Sequence, residues 1–174
     1  MKIKTNYVII PLITILVAVL GSYFTSVGMS WYDTTLVQPE LTPPKWAFPV
    51  AWNLIFILTT ISALLVWNAD HKMRWSFLKL FKKNTKDQRW HWAIGLFLAN
   101  AILNVLWSLL FFTLHLIGAA LLEMLLLEAT LVALFVLNWR FSKWASFLLL
   151  PYLLWIGFAS YLTYTIWTLN IVLS

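Results

Sequence analysis

Three histidines, six carboxylates and no cysteine make up the chain's stock of metal ligands and catalytic partners. His71, His91 and His115 stand too far apart to pair at ligand spacing, so no metal site is expected. Without cysteine, disulfides, thiolate zinc sites and thiol nucleophiles are excluded. No local Ser-His-Asp pattern is present, and five scattered glycines make no phosphate-cradling loop. The sequence therefore offers no conventional hydrolase or NTPase site. What remains is polar side chains set in apolar runs, which are costly there and mark function. Asn100, Asn104, Trp107 and Ser108 recur at helical spacings along one face. Two readings stand beside each other: hydrogen-bonding glue between helices, or a ligand-facing stripe in an aromatic-rich neighbourhood. Glu123 and Glu128 are five residues apart and point in different directions. Glu123 is expected to pair with a neighbouring helix or its caps. Glu128 lies deeper and is expected to be neutral or paired, since a carboxylate is disfavoured in hydrocarbon.

The elements that must position these residues follow from composition. The 174 residues are 62% hydrophobic and only 10% charged, whereas soluble domains carry about 25% charged residues. So few charges cannot cover a soluble core, and the chain reads as an integral membrane protein. Five apolar stretches are long enough to cross a bilayer, at about 7–27, 46–68, 92–113, 116–138 and 145–170. No period-two alternation suggests a β-barrel. Pro11 and Pro151 fall near span ends, where packed neighbours satisfy the freed carbonyls. The first span follows Lys2 and Lys4 like a signal peptide, but its apolar run is long and lacks a good cleavage site, so it is expected to be retained. The expected fold is an all-α integral membrane protein, one five-transmembrane-helix bundle over residues 1–174.

Charge sets the expected orientation. Five spans put the N-terminus, the 69–91 loop and the 139–144 turn on one side, with 11 of the 12 basic residues; the other side keeps Lys45. The positive-inside rule makes the first side cytoplasmic and the 28–45 loop external. In the basic loop, Met73, Phe77, Leu80 and Phe81 share one stripe flanked by Lys72, Lys79, Lys82 and Lys83. This predicts a short amphipathic helix on lipid rather than a nucleic-acid-binding arm. Trp75, Trp90 and Trp92 fit an interfacial aromatic belt.

The stretch from Trp31 to Trp52 is rigid and aromatic, with prolines at 39, 43, 44 and 49 fixing its backbone. It suits either a lid over a pocket between helix ends or a compact surface loop anchored by tryptophan. Here the residues carry a resemblance. Trp31-Tyr32, Pro39, Pro43-Pro44, Phe48 and Trp52 resemble the first signature of the translocator-protein family, also called tryptophan-rich sensory proteins, TspO/MBR or peripheral benzodiazepine receptors. Leu103-Asn104, Trp107-Ser108 and Phe111-Phe112 are similar to its second. Pro151-Tyr152-Leu153, Trp155, Phe158-Ala159, Leu162 and Leu169-Asn170 are similar to its third. The likeness spans most of the chain from 31 to 170, in order.

The resemblance implies a five-helix bundle, commonly a homodimer. It also implies a pocket beneath the first loop that binds porphyrins, haem and other flat or rigid apolar ligands, with sterols for some members. Carried over, that pocket would be lined by Trp52, Asn100, Leu103, Asn104, Trp107, Trp155 and Ala159, and closed by Trp31 and Tyr32 from the loop. Indole faces stack on a tetrapyrrole, and indole N–H and amide groups reach its polar edge. The chain also departs from the pattern. Gln38 and Leu41 stand where Lys and Trp are common, Pro49-Val50 replaces Gly-Pro, Leu109 replaces Pro, and Thr163 replaces Asn. The sterol-type pattern lacks its cation after Tyr164, which favours porphyrin over sterol.

The expectation is therefore a receptor or sensor of tetrapyrroles in a bacterial plasma membrane, with membrane lipid around it. No resident cofactor is expected; porphyrin or haem would be a ligand. The alternatives are a secondary transporter, though five spans cannot divide into equal inverted halves, and a light-dependent porphyrin-degrading enzyme with Trp52 or Trp155 as electron donor.

Overall fold

In hydrocarbon every backbone N–H and C=O must bond within its own segment, so long apolar runs become helices. The computed structural model describes residues 4–69 and 85–171, with side chains from residue 88 in the second stretch. Its elements are α1 (Asn6–Thr34), α2 (Ala47–Asn68), α3 (Thr85–Ser108) continued by a π-helical turn (Leu109–Thr113), α4 (Ile117–Asn138), a short α5 (Lys143–Phe147) and α6 (Leu150–Ile171). Among the described residues five segments are long and apolar enough to cross a membrane. The chain is the all-α five-span bundle that its hydropathy predicts. The side where it begins is the near side; the 35–46 loop and the 114–116 turn lie on the far side.

Three span ends differ from expectation. The first helix runs to Thr34 rather than stopping near 27, so Trp31 and Tyr32 stand on a helix and not in a loop. The reason is a stripe of buried residues, Gly21, Gly28 and Tyr32, spaced seven and four apart. This stripe seats α1 against the far end of α3. A Cβ on Gly28 would fall 1.8 Å from the Phe112 carbonyl oxygen, so only glycine allows the approach. One on Gly21 would stand 3.5 Å from Ser108 Oγ, and Thr113 Oγ1 donates to the Phe24 carbonyl at 3.2 Å.

The third span starts earlier, and its far end widens. Leu114 N–H donates to the Leu109 carbonyl at 2.9 Å, five residues back, which makes the turn π-helical. The wider turn buries two adjacent aromatics, Phe111 and Phe112, at 2% and 8% exposure. His115 follows in the left-handed region (φ 57°), and its ring stacks on Trp31 at 3.9 Å.

The fifth span is broken into α5 and α6. Ser142 caps α5 by accepting from Ala145 N–H at 3.3 Å. Pro151 then falls in the first turn of α6, where a missing N–H costs little. Buried polar groups lock this corner to its neighbours. Ser62 Oγ donates to the Ala145 carbonyl at 2.7 Å, Ser146 Oγ to the Phe135 carbonyl at 2.7 Å, and Asn138 Nδ2 to Ser62 Oγ at 3.5 Å.

On the far side, Asn170 of α6 meets the backbone of Val37. It accepts from the Val37 N–H at 3.0 Å and donates to the Val37 carbonyl at 3.1 Å. Lys45 pairs with Asp33 at 2.8 Å, an exposed bridge of small worth. The proposed amphipathic stripe, Met73 to Phe81 with its lysines, and Trp75 lie outside the described residues. Trp92 is exposed to the surroundings, while Trp90 packs edge-on against Trp67 at 4.8 Å.

Candidate functional site

On the near half, α1 carries Ile9, Ile13 and Val17 where its far half carries glycine. These branched side chains face a gap rather than a close helix contact, and a hydrogen bond between Thr14 and Thr60 (2.8 Å) ties α1 to α2. The gap is a cavity of about 490 Å³ walled by α1, α2 and α3 and reaching Tyr152 of α6. That volume suits a small-molecule site, for which about 300–1,000 Å³ is usual. Most of the wall is aliphatic or aromatic, with Phe56, Trp67 and Phe97 among its rings.

Polar groups stand along the wall, from Thr5 and Asn6 past Thr14, Thr59 and Thr60 to Asn100, Asn104 and Tyr152. Asn100 and Asn104, one turn apart, both reach the wall. Asn100 Nδ2 donates to Thr130 Oγ1 at 3.0 Å, and Asn104 Nδ2 donates to Tyr152 Oη at 2.7 Å. Both readings of this stripe hold together: the amides bond neighbouring helices and also face the cavity.

The tryptophans divide. Trp52 stands one layer behind the wall, its ring centroid 5.6 Å from Phe56 and 6.0 Å from Tyr152. Trp107 lies 6.2 Å from Trp52 and stacks on Phe111 at 5.7 Å, continuing the column toward the far side. Trp155 packs on Phe48 at 5.8 Å and, with Leu103, covers the core of Ile55, Leu127, Leu131, Tyr152 and Ile156. Ala159 is buried on α6. Of the expected pocket, Asn100 and Asn104 line this cavity, and Trp52, Leu103, Trp107, Trp155 and Ala159 do not.

Trp31 and Tyr32, expected to close a pocket beneath the first loop, do not border this cavity. Tyr32 packs between Phe111 and Phe112, at 6.1 and 5.7 Å, and Trp31 lies on His115 and Phe111. Tyr32 is buried in the α1–α3 contact and Trp31 packs half-buried beside it, on the far side, whereas the cavity lies in the near half. Of the two glutamates it is Glu123, expected to pair with a neighbour or cap, that is buried without a hydrogen-bond partner. Glu123 falls on the buried face of α4 with Ala120, Leu127 and Leu131. It is 5% exposed, with neither carboxylate oxygen hydrogen-bonded. Glu128, one position past that face, is half-buried. Sequence reasoning left Tyr152 out of the pocket, although a hydroxyl in an apolar span was the signal for it. Among the described residues no group of three or more His, Cys, Asp or Glu gathers as a metal site.

Comparison with known proteins places this architecture. The sequence profile of the TspO/MBR family matches residues 9–168. A tryptophan-rich protein TspO of Chlorobaculum tepidum is 37% identical over 150 residues, covering 86% of each chain. Another, of Archaeoglobus fulgidus, is 34% identical over 167 residues, 93% of this chain and 98% of its own. The human translocator protein is 29% identical over 143 residues, covering 82% of this chain and 76% of its own.

Proposed function

Because this chain belongs to the TspO/MBR family of multi-pass membrane proteins, we propose that it binds flat, rigid, apolar ligands, porphyrins foremost, in the near-half cavity. The observation that carries the reading is the cavity's make-up: a mainly apolar slot of about 490 Å³ whose wall includes Asn100, Asn104 and Tyr152. Apolar walls supply the burial a tetrapyrrole needs, and the three polar groups orient its edge. Trp52, behind Phe56 and Tyr152, gives the wall an aromatic backing. The names of relatives, sensory protein and translocator protein, agree with binding of a ligand that is then signalled or passed on.

The test is titration of the purified protein in lipid nanodiscs with protoporphyrin and with haem, in the dark and under light. Saturable quenching of tryptophan fluorescence is expected. Ala101 lines the cavity, so Ala101→Trp should fill it and abolish saturation while the circular dichroism stays helical. Unchanged binding by that variant would move the ligand elsewhere. Under this binding reading, the porphyrin bleaches in light no faster than in empty nanodiscs; faster bleaching would favour degradation.

The orientation proposed with it has the N-terminus in the cytoplasm, supported by the 11-to-1 split of basic residues. A reporter fused to the C-terminus should then read as extracytoplasmic, and a cytoplasmic reading would overturn the orientation.

A further inference from the structure

Two arginines meet at one end of a groove that shares no residue with the cavity. The groove runs down the outer face of the bundle between α3 and α4, with Trp92 and Leu96 on one wall and Val132 and Val136 on the other. Ala129 and Ala133, one turn apart, lie between them, and their lack of bulk makes the depression. Arg89 of α3 and Arg140 of α4 close its near end. Their level follows from helix register. Asn100 bonds Thr130 near the middle of both spans. Arg89 lies eleven residues before Asn100 and Arg140 ten after Thr130. At the helical rise both therefore stand about 15 Å to the near side of that bond.

Half of a hydrocarbon core is also about 15 Å thick, so the groove spans one leaflet and its arginines reach the headgroup level. Trp92, 63% exposed, stands beside them as an interfacial aromatic does. Among the described residues neither arginine has an ion-pair partner; the one bridge joins Lys45 to Asp33 on the far side. Glu128, the described carboxylate nearest to Arg140 in the sequence, is twelve residues away and lies against Gly157 of α6. Two cations without a countercharge, above an apolar trough one leaflet long, fit an occupant with an anionic head and a hydrocarbon tail. A second copy of the chain fits poorly. Packed here about a two-fold axis along the membrane normal, it would set its own two arginines at the same level, four like charges face to face.

We propose that the α3–α4 groove binds one anionic phospholipid of the near leaflet, its phosphate between Arg89 and Arg140 and an acyl chain along Ala129 and Ala133. Arginine holds phosphate through paired N–H donors. A basic pocket between membrane helices is the chemistry that separates anionic headgroups from zwitterionic ones. The site stands apart from the cavity, and what the cavity binds does not bear on it.

Native mass spectrometry tests it by counting the lipid that the purified protein retains from equimolar phosphatidylglycerol and phosphatidylcholine with the same chains. The first lipid bound by the wild type should be phosphatidylglycerol by about 25-fold, a factor of about five for each basic residue beside an anionic headgroup. Arg89→Gln and Arg140→Gln should each lower that preference about fivefold, and the double variant should abolish it. Retained phosphatidylcholine shows that each variant is folded. Ala133→Leu keeps both charges but fills the trough, and should also abolish the preference. Lys143→Gln removes an exposed charge on the same side but outside the groove, and should change nothing. A wild type that takes both lipids alike would overturn the proposal. So would a preference that survives the double variant or Ala133→Leu, an equal loss with Lys143→Gln, or equal loss of both lipids in the arginine variants.

Discussion

The two halves of α1 face the same neighbour and behave in opposite ways. On the far half, Gly21 and Gly28 bring the helix so close to α3 that a methyl group at 28 would overlap the Phe112 carbonyl. On the near half, Ile9, Ile13 and Val17 line a cavity shared with α2 and α3. Lipid is as apolar as leucine, so helices in a membrane associate through close packing rather than through the hydrophobic effect. Small residues therefore close a contact, and on the near half branched ones line a gap. One helix can weld a bundle at one end and wall a slot at the other.

The contrast can be broken most forcefully at Gly28. Gly28→Leu must push α1 off a rigid backbone, and the expected cost is at the top of the overpacking range, about 3 kcal/mol or more. Denaturation of the reconstituted protein measures it; a variant as stable as wild type would mean that this contact does not seat α1. Tyr152→Phe should come next, at about 1–3 kcal/mol, because it leaves the buried Asn104 Nδ2 without an acceptor. The same measurement reads it, and a neutral result would show that Asn104 turns to another partner.

Trp52 and Trp155 sharpen the comparison on the binding side. Trp52→Ala removes the ring that backs Phe56 and Tyr152, and should weaken protoporphyrin binding by loosening the wall, by less than the roughly 1 kcal/mol at the low end of direct stacking. Trp155→Ala should cost clearly less, since its ring packs on Phe48 and Phe158. Trp144, 74% exposed, is the control and should lose nothing on replacement by Ala. Equal losses from all three would mean that tryptophan acts through fold stability. The smallest effect belongs to Gly95, around which a Cβ meets nothing within 4 Å. Gly95→Ala should stabilise the helix by up to about 1 kcal/mol, and a loss instead would reveal a contact on that face.

The five spans were legible because hydropathy reports what each segment dissolves in, and that needs no knowledge of neighbours. The end of α1 was not. Glycines at 21 and 28 look like helix breakers until the Phe112 backbone they admit is known. Asn100 and Asn104 were identified because an amide in an apolar run is conspicuous in one dimension. The depth of the cavity was not, since a space lined by α1, α2 and α3 belongs to the helices together and not to any one of them. Glu123 and Glu128 look alike in the sequence, and only the face chosen by Ala120, Leu127 and Leu131 separates them.

Asn170 has a consequence for the far-side loop. A carboxamide is chemically a peptide group, and by accepting from and donating to the same residue, Val37, it completes one rung of an antiparallel ladder with no strand present. Its Nδ2 also donates to the Ile166 carbonyl of its own helix at 2.7 Å, which orients the amide for that rung. The last turn of the final helix and the first connection of the chain are thereby spliced into a single hydrogen-bonded unit. Asp at 170 would keep the acceptor half of the rung and lose both donations. The loop's backbone is completed by one side chain 133 positions away in sequence, and the rim of the bundle is closed into a circuit.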